Sequence, residues 1–184
     1  MFFSKVFIHV VFLLLVGSVI AAPVVKDGSP DAVQLSTREN PAIKHMRVAV
    51  KIARQIKNSL KAVPSKTIFY TGTKLGKKGK EIPVKQTAEH FAKANQKQLL
   101  GHALAKAKIR IPSENKNPHS MRLWKLASKA YAMRSSGVAH AFIGKWTRPE
   151  NVYHNIEKPT LLKNPKLSKL IEHNGETGAT TVVK

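Results

Sequence analysis

Not one of the 184 residues is cysteine, and this absence constrains the fold more than any residue that is present. A disulfide framework, a thiolate metal site, an iron–sulfur cluster and a thiol nucleophile are all excluded. The chain must hold itself together by packing. Its 42% hydrophobic content suits one modest globular domain and is too high for a wholly disordered polycation. Against 10 Asp and Glu stand 32 Lys and Arg, a formal net charge of +22. Such a charge speaks to partners (phosphates, acidic glycans, anionic membranes) and not to fold.

The start of the chain reads as a secretion signal. Lys5 gives a positive start, residues 6–16 are almost continuously apolar, and residues 17–22 supply small side chains for a signal peptidase. Cleavage is expected after Ala21, because cleavage after Ala22 would set Pro23 against the scissile bond. A membrane anchor is the competing reading. The apolar run is shorter than the ~20 residues that span a bilayer, and no positive cluster follows at once. The expected location is therefore outside the cell. No Asn-x-Ser/Thr acceptor follows to help solubilise the mature chain. A secreted protein without disulfides either relies on packing alone or is delivered into the reducing cytosol of a host or target cell.

Residues 22–40 are polar, carry Gly28 and Pro30, and read as a flexible lead-in. Asn40 as cap and Pro41 at the first helical position then open a helix expected to stop at Pro64. Ile43, Met46, Val50, Ala53 and Leu60 recur at helical spacing, and Ala49, Ile52 and Ile56 widen the stripe. Lys44, Arg47, Lys51, Arg54, Lys57 and Lys61 fill the remaining surface with no acid among them. Such a helix suits an anionic membrane or nucleic acid, or simply presents a solvated face. The loop expected over residues 73–83 holds a second basic cluster, residues 74–80, without the spacing of a Walker loop.

Residues 67–70 and 138–143 read as strands, each bounded by turn-forming residues. Short helices are predicted over 85–95 and 98–108, and a last one from Asn164-Pro165 to about Glu172. A stronger helix is predicted from the Asn117 cap to about Ser135, stopping at Gly137. Its apolar residues occur on most sides, so deep burial is expected, Trp124 included. The stretch 146–159 looks irregular. The fold class is therefore α+β: a mostly helical domain over residues 65–173 with a small sheet. A basic amphipathic helical extension over 41–64 precedes it, and a disordered tail over 174–184 follows.

The histidines fall in no metal-binding spacing, and neither a nucleophile elbow nor a dinucleotide fingerprint occurs, so no metal site is predicted. Three segments carry more information. Phe69-Tyr70-Thr71-Gly72 sets an aromatic at a strand end. Residues 124–132 put Trp124 and Ser128 on one helical face. Asn151-Val152-Tyr153-His154-Asn155-Ile156-Glu157 offers polar side chains and, six residues on, one carboxylate.

In order and content these segments resemble the ADP-ribosyl cyclase / NAD glycohydrolase family, over roughly residues 67–171. The strongest part is the Trp124 helix running through Gly137 and Val138 into a strand. Ile156-Glu157-Lys158-Pro159 followed by Leu161 and Asn164-Pro165 is similar to secreted microbial toxin domains of this kind. The resemblance implies that Glu157 is the catalytic glutamate, which binds the nicotinamide ribose and stabilises the cation formed when nicotinamide leaves. It implies that Trp124 positions nicotinamide, that Tyr70 walls the pocket in place of the family's usual Trp, and that Ser128 faces the substrate. Asn151, where the family has Ser, and Tyr153 match the segment that holds phosphates and ribose. NAD is then a substrate, and no cofactor is implied. The family's Thr-Leu-Glu segment has its nearest match in Gln98-Leu99-Leu100, without the acid; Gly72 replaces an Arg, and the family disulfides are absent. The missing acid argues against cyclase output.

The chemistry is coherent: a preorganised carboxylate stabilises the positive charge that develops on ribose as an N-glycosidic bond breaks. A second reading, from another class, is a secreted cationic protein that binds nucleic acid, acidic glycan or anionic membrane without catalysis. Convergence of Trp124, Tyr70 and Glu157 on one pocket favours the first.

Overall fold

A computed structural model of the chain describes residues 40–76 and 79–184. The expected signal peptide, the lead-in up to residue 39, and Lys77 and Lys78 of the basic loop lie outside the described residues. The architecture is α+β. Helix α1 (Pro41–Ser59) leads into strand β1 (Thr67–Thr71), the short strands β2 (Thr73–Leu75) and β3 (Glu81–Pro83), and helix α2 (Lys85–Ala94). Strand β4 (Gln98–Leu99), helices α3 (Leu100–Lys106) and α4 (Ser120–Arg134), and strand β5 (Gly137–Ile143) follow. A π-helical turn (Tyr153–Glu157) runs straight into α5 (Lys158–Lys163), and strands β6 (Leu167–Asn174) and β7 (Thr180–Val182) close the chain.

The main sheet has the order β4-β1-β5-β6-β7. Its first four strands are parallel and β7 is antiparallel. Successive residues of β1 point to opposite faces, as the strand period requires. Phe69 joins a core with Ala139 and Ala141 of β5, Tyr131 of α4 and Ile52 and Ile56 of α1. Ile68 joins a smaller core with Val84, Ala88, Leu99 and Phe142, beneath α2. Helices thus cover both faces of the sheet.

The Asn40 cap forms as the sequence predicts: its Oδ1 accepts the Ala42 N–H at 2.9 Å, with Pro41 in the first turn. The helix is no appendage. Ala49, Ile52, Ile56 and Leu60 lie in the main core, and the described residues belong to one compact unit.

Four expectations are corrected. Within the expected loop 73–83, Thr73–Leu75 and Glu81–Pro83 instead pair as antiparallel strands β2 and β3. Gly79 turns the chain at φ +70, and Gly76 N–H donates to the Lys80 carbonyl at 2.7 Å; strands this short carry no readable period. Gln98 and Leu99 do not start a helix, because β1 offers them an edge: Gln98 N–H donates to the Lys66 carbonyl at 2.6 Å. Residues 167–174 are strand β6, not helix, although buried Leu167 and Leu170 stand at helical spacing. Flanked by β5 and β7, that segment satisfies its backbone in the sheet, and tertiary context overrides local pattern. The last stretch, expected as a disordered tail, supplies β7, where Val182 pairs with Ile171. Lys184 Nζ donates to the Asn164 carbonyl at 2.6 Å.

The α4 helix starts at Ser120, not Pro118, because Asn117 Oδ1 accepts the His119 N–H at 2.9 Å and holds a turn there. Its stop is as predicted, with Gly137 at φ +67 just beyond. Its burial is not. Met121, Trp124, Leu126 and Met133 are all exposed, and the reason for two of them is the cleft described next.

Candidate active site

At the carboxyl end of β1 the chain crosses to β4 through α2, under one face of the sheet, and returns to β5 through α3 and α4. Crossovers that diverge at a parallel strand leave a crevice beyond its carboxyl end, the usual ligand position in such sheets. A cleft of about 670 Å³ occupies that place. Phe69, Tyr70, Thr71 and Gly72 form its β1 side, Met121, Trp124 and Ser128 its α4 side, and Tyr153 and Glu157 the wall from the π-helical turn. Trp124, Tyr70 and Glu157, far apart in sequence, share one cleft.

Glu157 is the most unusual of these groups. It ends a π-helical turn, a rare local geometry often found at functional sites. Only 7% of its surface is exposed. Burial pushes its carboxyl up to about 7, against a smaller downward pull from a hydrogen bond with Ser128. Its sequence neighbour Lys158 does not neutralise it, because Lys158 Nζ pairs with Glu172 Oε1 at 2.8 Å. The same Glu172 oxygen accepts the Tyr153 hydroxyl at 2.7 Å. Lysine and tyrosine are thus both committed to Glu172, while Glu157 stands in the cleft with a serine.

Trp124 is 40% exposed, and Ser128 follows it by one helical turn on the same face. Tyr70 is also partly open. Its hydroxyl is held above the ordinary value, first by burial, with Lys85 pulling the other way and Glu89 and Glu157 pushing further up. Those influences place the phenol within electrostatic reach of both carboxylates.

Asn151 is not on the cleft wall. Its Oδ1 accepts the backbone N–H groups of Tyr153 at 2.8 Å and His154 at 3.3 Å, which makes it a cap for the turn that carries Glu157. Asn151, expected from the resemblance to hold substrate, is placed here as that cap: a short amide beginning a helical turn bonds its own backbone. Tyr153 lines the cleft, but its ring is fully buried and its hydroxyl belongs to Glu172. It is wall, and not a free donor for phosphate.

Sequence reasoning missed three polar side chains of the cleft, Lys85 and Glu89 on α2 and His102 on α3, besides apolar ones such as Met121. Lys85 and Glu89 form an i,i+4 pair at 3.5 Å with both side chains about half open. The spacing was visible, but which way that face of α2 points was not. Through Glu89 the cleft gains a second carboxylate, from α2 and not from the 98–100 segment. Among the described residues no group of three or more His, Cys, Asp or Glu is placed to hold a metal ion.

Fold and site define a class: an α+β domain with an aromatic-walled crevice around one buried carboxylate that forms no ion pair among the described residues. No protein-family model matches the chain, and no curated protein matches it in sequence.

Proposed function

We propose that the chain is a secreted, effector-like enzyme that hydrolyses NAD to ADP-ribose and nicotinamide. The observation that carries this reading is Glu157, buried beside Ser128 in a cleft walled by Trp124 and Tyr70 and not neutralised by Lys158. The bond between the ribose anomeric carbon and the nicotinamide nitrogen breaks, its electron pair leaves with nicotinamide, and ribose becomes oxocarbenium-like. Ionised Glu157 faces that charge and stabilises it. Water then adds to the anomeric carbon, and its proton passes to the carboxylate, whose affinity near neutral pH suits a general base. The aromatic pair suits a planar nicotinamide, and a strongly cationic chain attracts a pyrophosphate from a distance. Delivery beyond the cell rests on the N-terminal segment of the sequence. Among the described residues no helix is long and apolar enough to cross a membrane.

The direct test is incubation of purified protein with NAD and measurement of released nicotinamide. Release above buffer is the expected result; none from well-folded protein removes the enzyme reading. Trp124→Ala refines it. A buried Trp would cost about 3–5 kcal/mol on truncation, but this one is open to the cleft, so melting should move by under about 1 kcal/mol. KM for NAD should rise several-fold, as loss of a ring contact worth about 1 kcal/mol requires. Unchanged kinetics would take Trp124 out of the site.

A further inference from the structure

Helix α1 carries two apolar stripes, and the fold uses one. Ala49, Ile52 and Ile56 turn inward and are buried. Ile43, Met46 and Val50, at i, i+3 and i+7, lie on the outer side and are 55%, 50% and 46% exposed. Around them stand Lys44, Lys51, Arg54 and Lys57, and the helix contains neither Asp nor Glu.

We propose that this face docks the protein on an anionic lipid bilayer, with α1 lying in the interface plane. The charge pattern selects this occupant. A second copy of the chain would set cations against cations. A nucleic acid would answer the cations but leave Ile43, Met46 and Val50 wet. An anionic bilayer answers both, since its headgroups meet Lys and Arg while its acyl boundary takes apolar side chains a few ångströms below. The inner stripe, locked in the core, presents the outer one already helical, so docking has no folding cost to offset. At 1.5 Å per residue the 19-residue helix is about 28 Å long, enough to lie across several headgroups. Neither α1 residue stripe lines the NAD cleft, so this inference stands apart from the proposed reaction.

The full chain should sediment with phosphatidylcholine vesicles containing phosphatidylserine and stay in solution with phosphatidylcholine alone. Lys51→Glu with Arg54→Glu should weaken that binding by at least about 10²-fold, at roughly fivefold for each unit of charge removed near the surface. Replacing Ile43, Met46 and Val50 together by Ser should weaken it at least tenfold, while heparin binding and melting stay as in the unaltered chain. A second readout does not depend on that triple variant. The chain has no cysteine, so Met46→Cys accepts a single environment-sensitive dye. Its emission should shift to the blue with phosphatidylserine vesicles, and a dye on Lys93→Cys should not. Vesicle binding unaffected by the triple Ser change, or no shift at position 46, would overturn the proposal.

Discussion

Replacing Glu157 with Gln is expected to lower nicotinamide release by about 10²–10³ while leaving the fold intact. Gln has nearly the same volume and keeps hydrogen-bonding capacity toward Ser128, but offers no negative charge to an oxocarbenium-like transition state. In the unaltered protein the charge itself depends on pH. Burial holds the Glu157 carboxyl near 7, so the active carboxylate accumulates as pH passes through that value. Activity should rise from pH 6 to pH 8 and then level. Stability should move the other way. The folded-state value lies above the unfolded one, so this group's contribution is complete below the ordinary Glu value and is lost as pH rises through 7. Full ionisation costs on the order of 3 kcal/mol. Glu157→Gln cannot ionise, and should melt close to the unaltered protein at pH 5 and above it at pH 9. Paired thermal scans check the sign, and full activity in the variant would end the catalytic assignment.

A second substitution should damage the fold far more than any in the cleft. Asn164 is buried where α5 ends and β6 is about to begin. Its Nδ2 lies 3.0 Å from the Ala132 carbonyl, 3.2 Å from that of Met133 and 2.7 Å from that of Ser135. Those carbonyls lie at the end of α4, where only that of Ala132 gains a further backbone partner, the Ser135 N–H at 3.3 Å. Its Oδ1 accepts the Lys166 N–H at 3.0 Å and fixes the turn into the strand. Asn164→Ala strips the side-chain donor from this junction and leaves the Ser135 carbonyl in particular without it, at an expected cost of about 2–4 kcal/mol. The melting temperature should fall by roughly 5–15 °C. Asn164→Asp should be no better, because it turns a carboxylate toward carbonyl oxygens. A loss under about 1 kcal/mol in urea titration would show that water satisfies the junction instead.

Features decided within a few residues were readable in advance. The Asn40 cap, the Gly137 stop, the strands β1 and β5, and the placing of Trp124 one turn before Ser128 all depend on short-range geometry. The α+β class also follows from such elements taken together. Short paired segments were not readable. Hairpin β2–β3 is too brief to show a period, and β4 exists because Lys66 lies beside Gln98. In β6, leucines three apart imitate a helix, and only neighbouring strands select the extended form.

The site divides along the same line. Composition and order of residues by themselves determined a disulfide-free, strongly cationic chain, a basic amphipathic helix opening at Pro41, and a short roster of aromatic and acidic side chains. Tertiary structure alone decided that Trp124 opens to a cleft instead of filling the core, and that Asn151 caps the turn that carries Glu157. It also decided that Lys158 reaches Glu172 and not its sequence neighbour Glu157. The reason is physical: the energy of a carboxylate depends on what excludes water from it and which charge stands within a few ångströms, and neither is a property of neighbours in sequence.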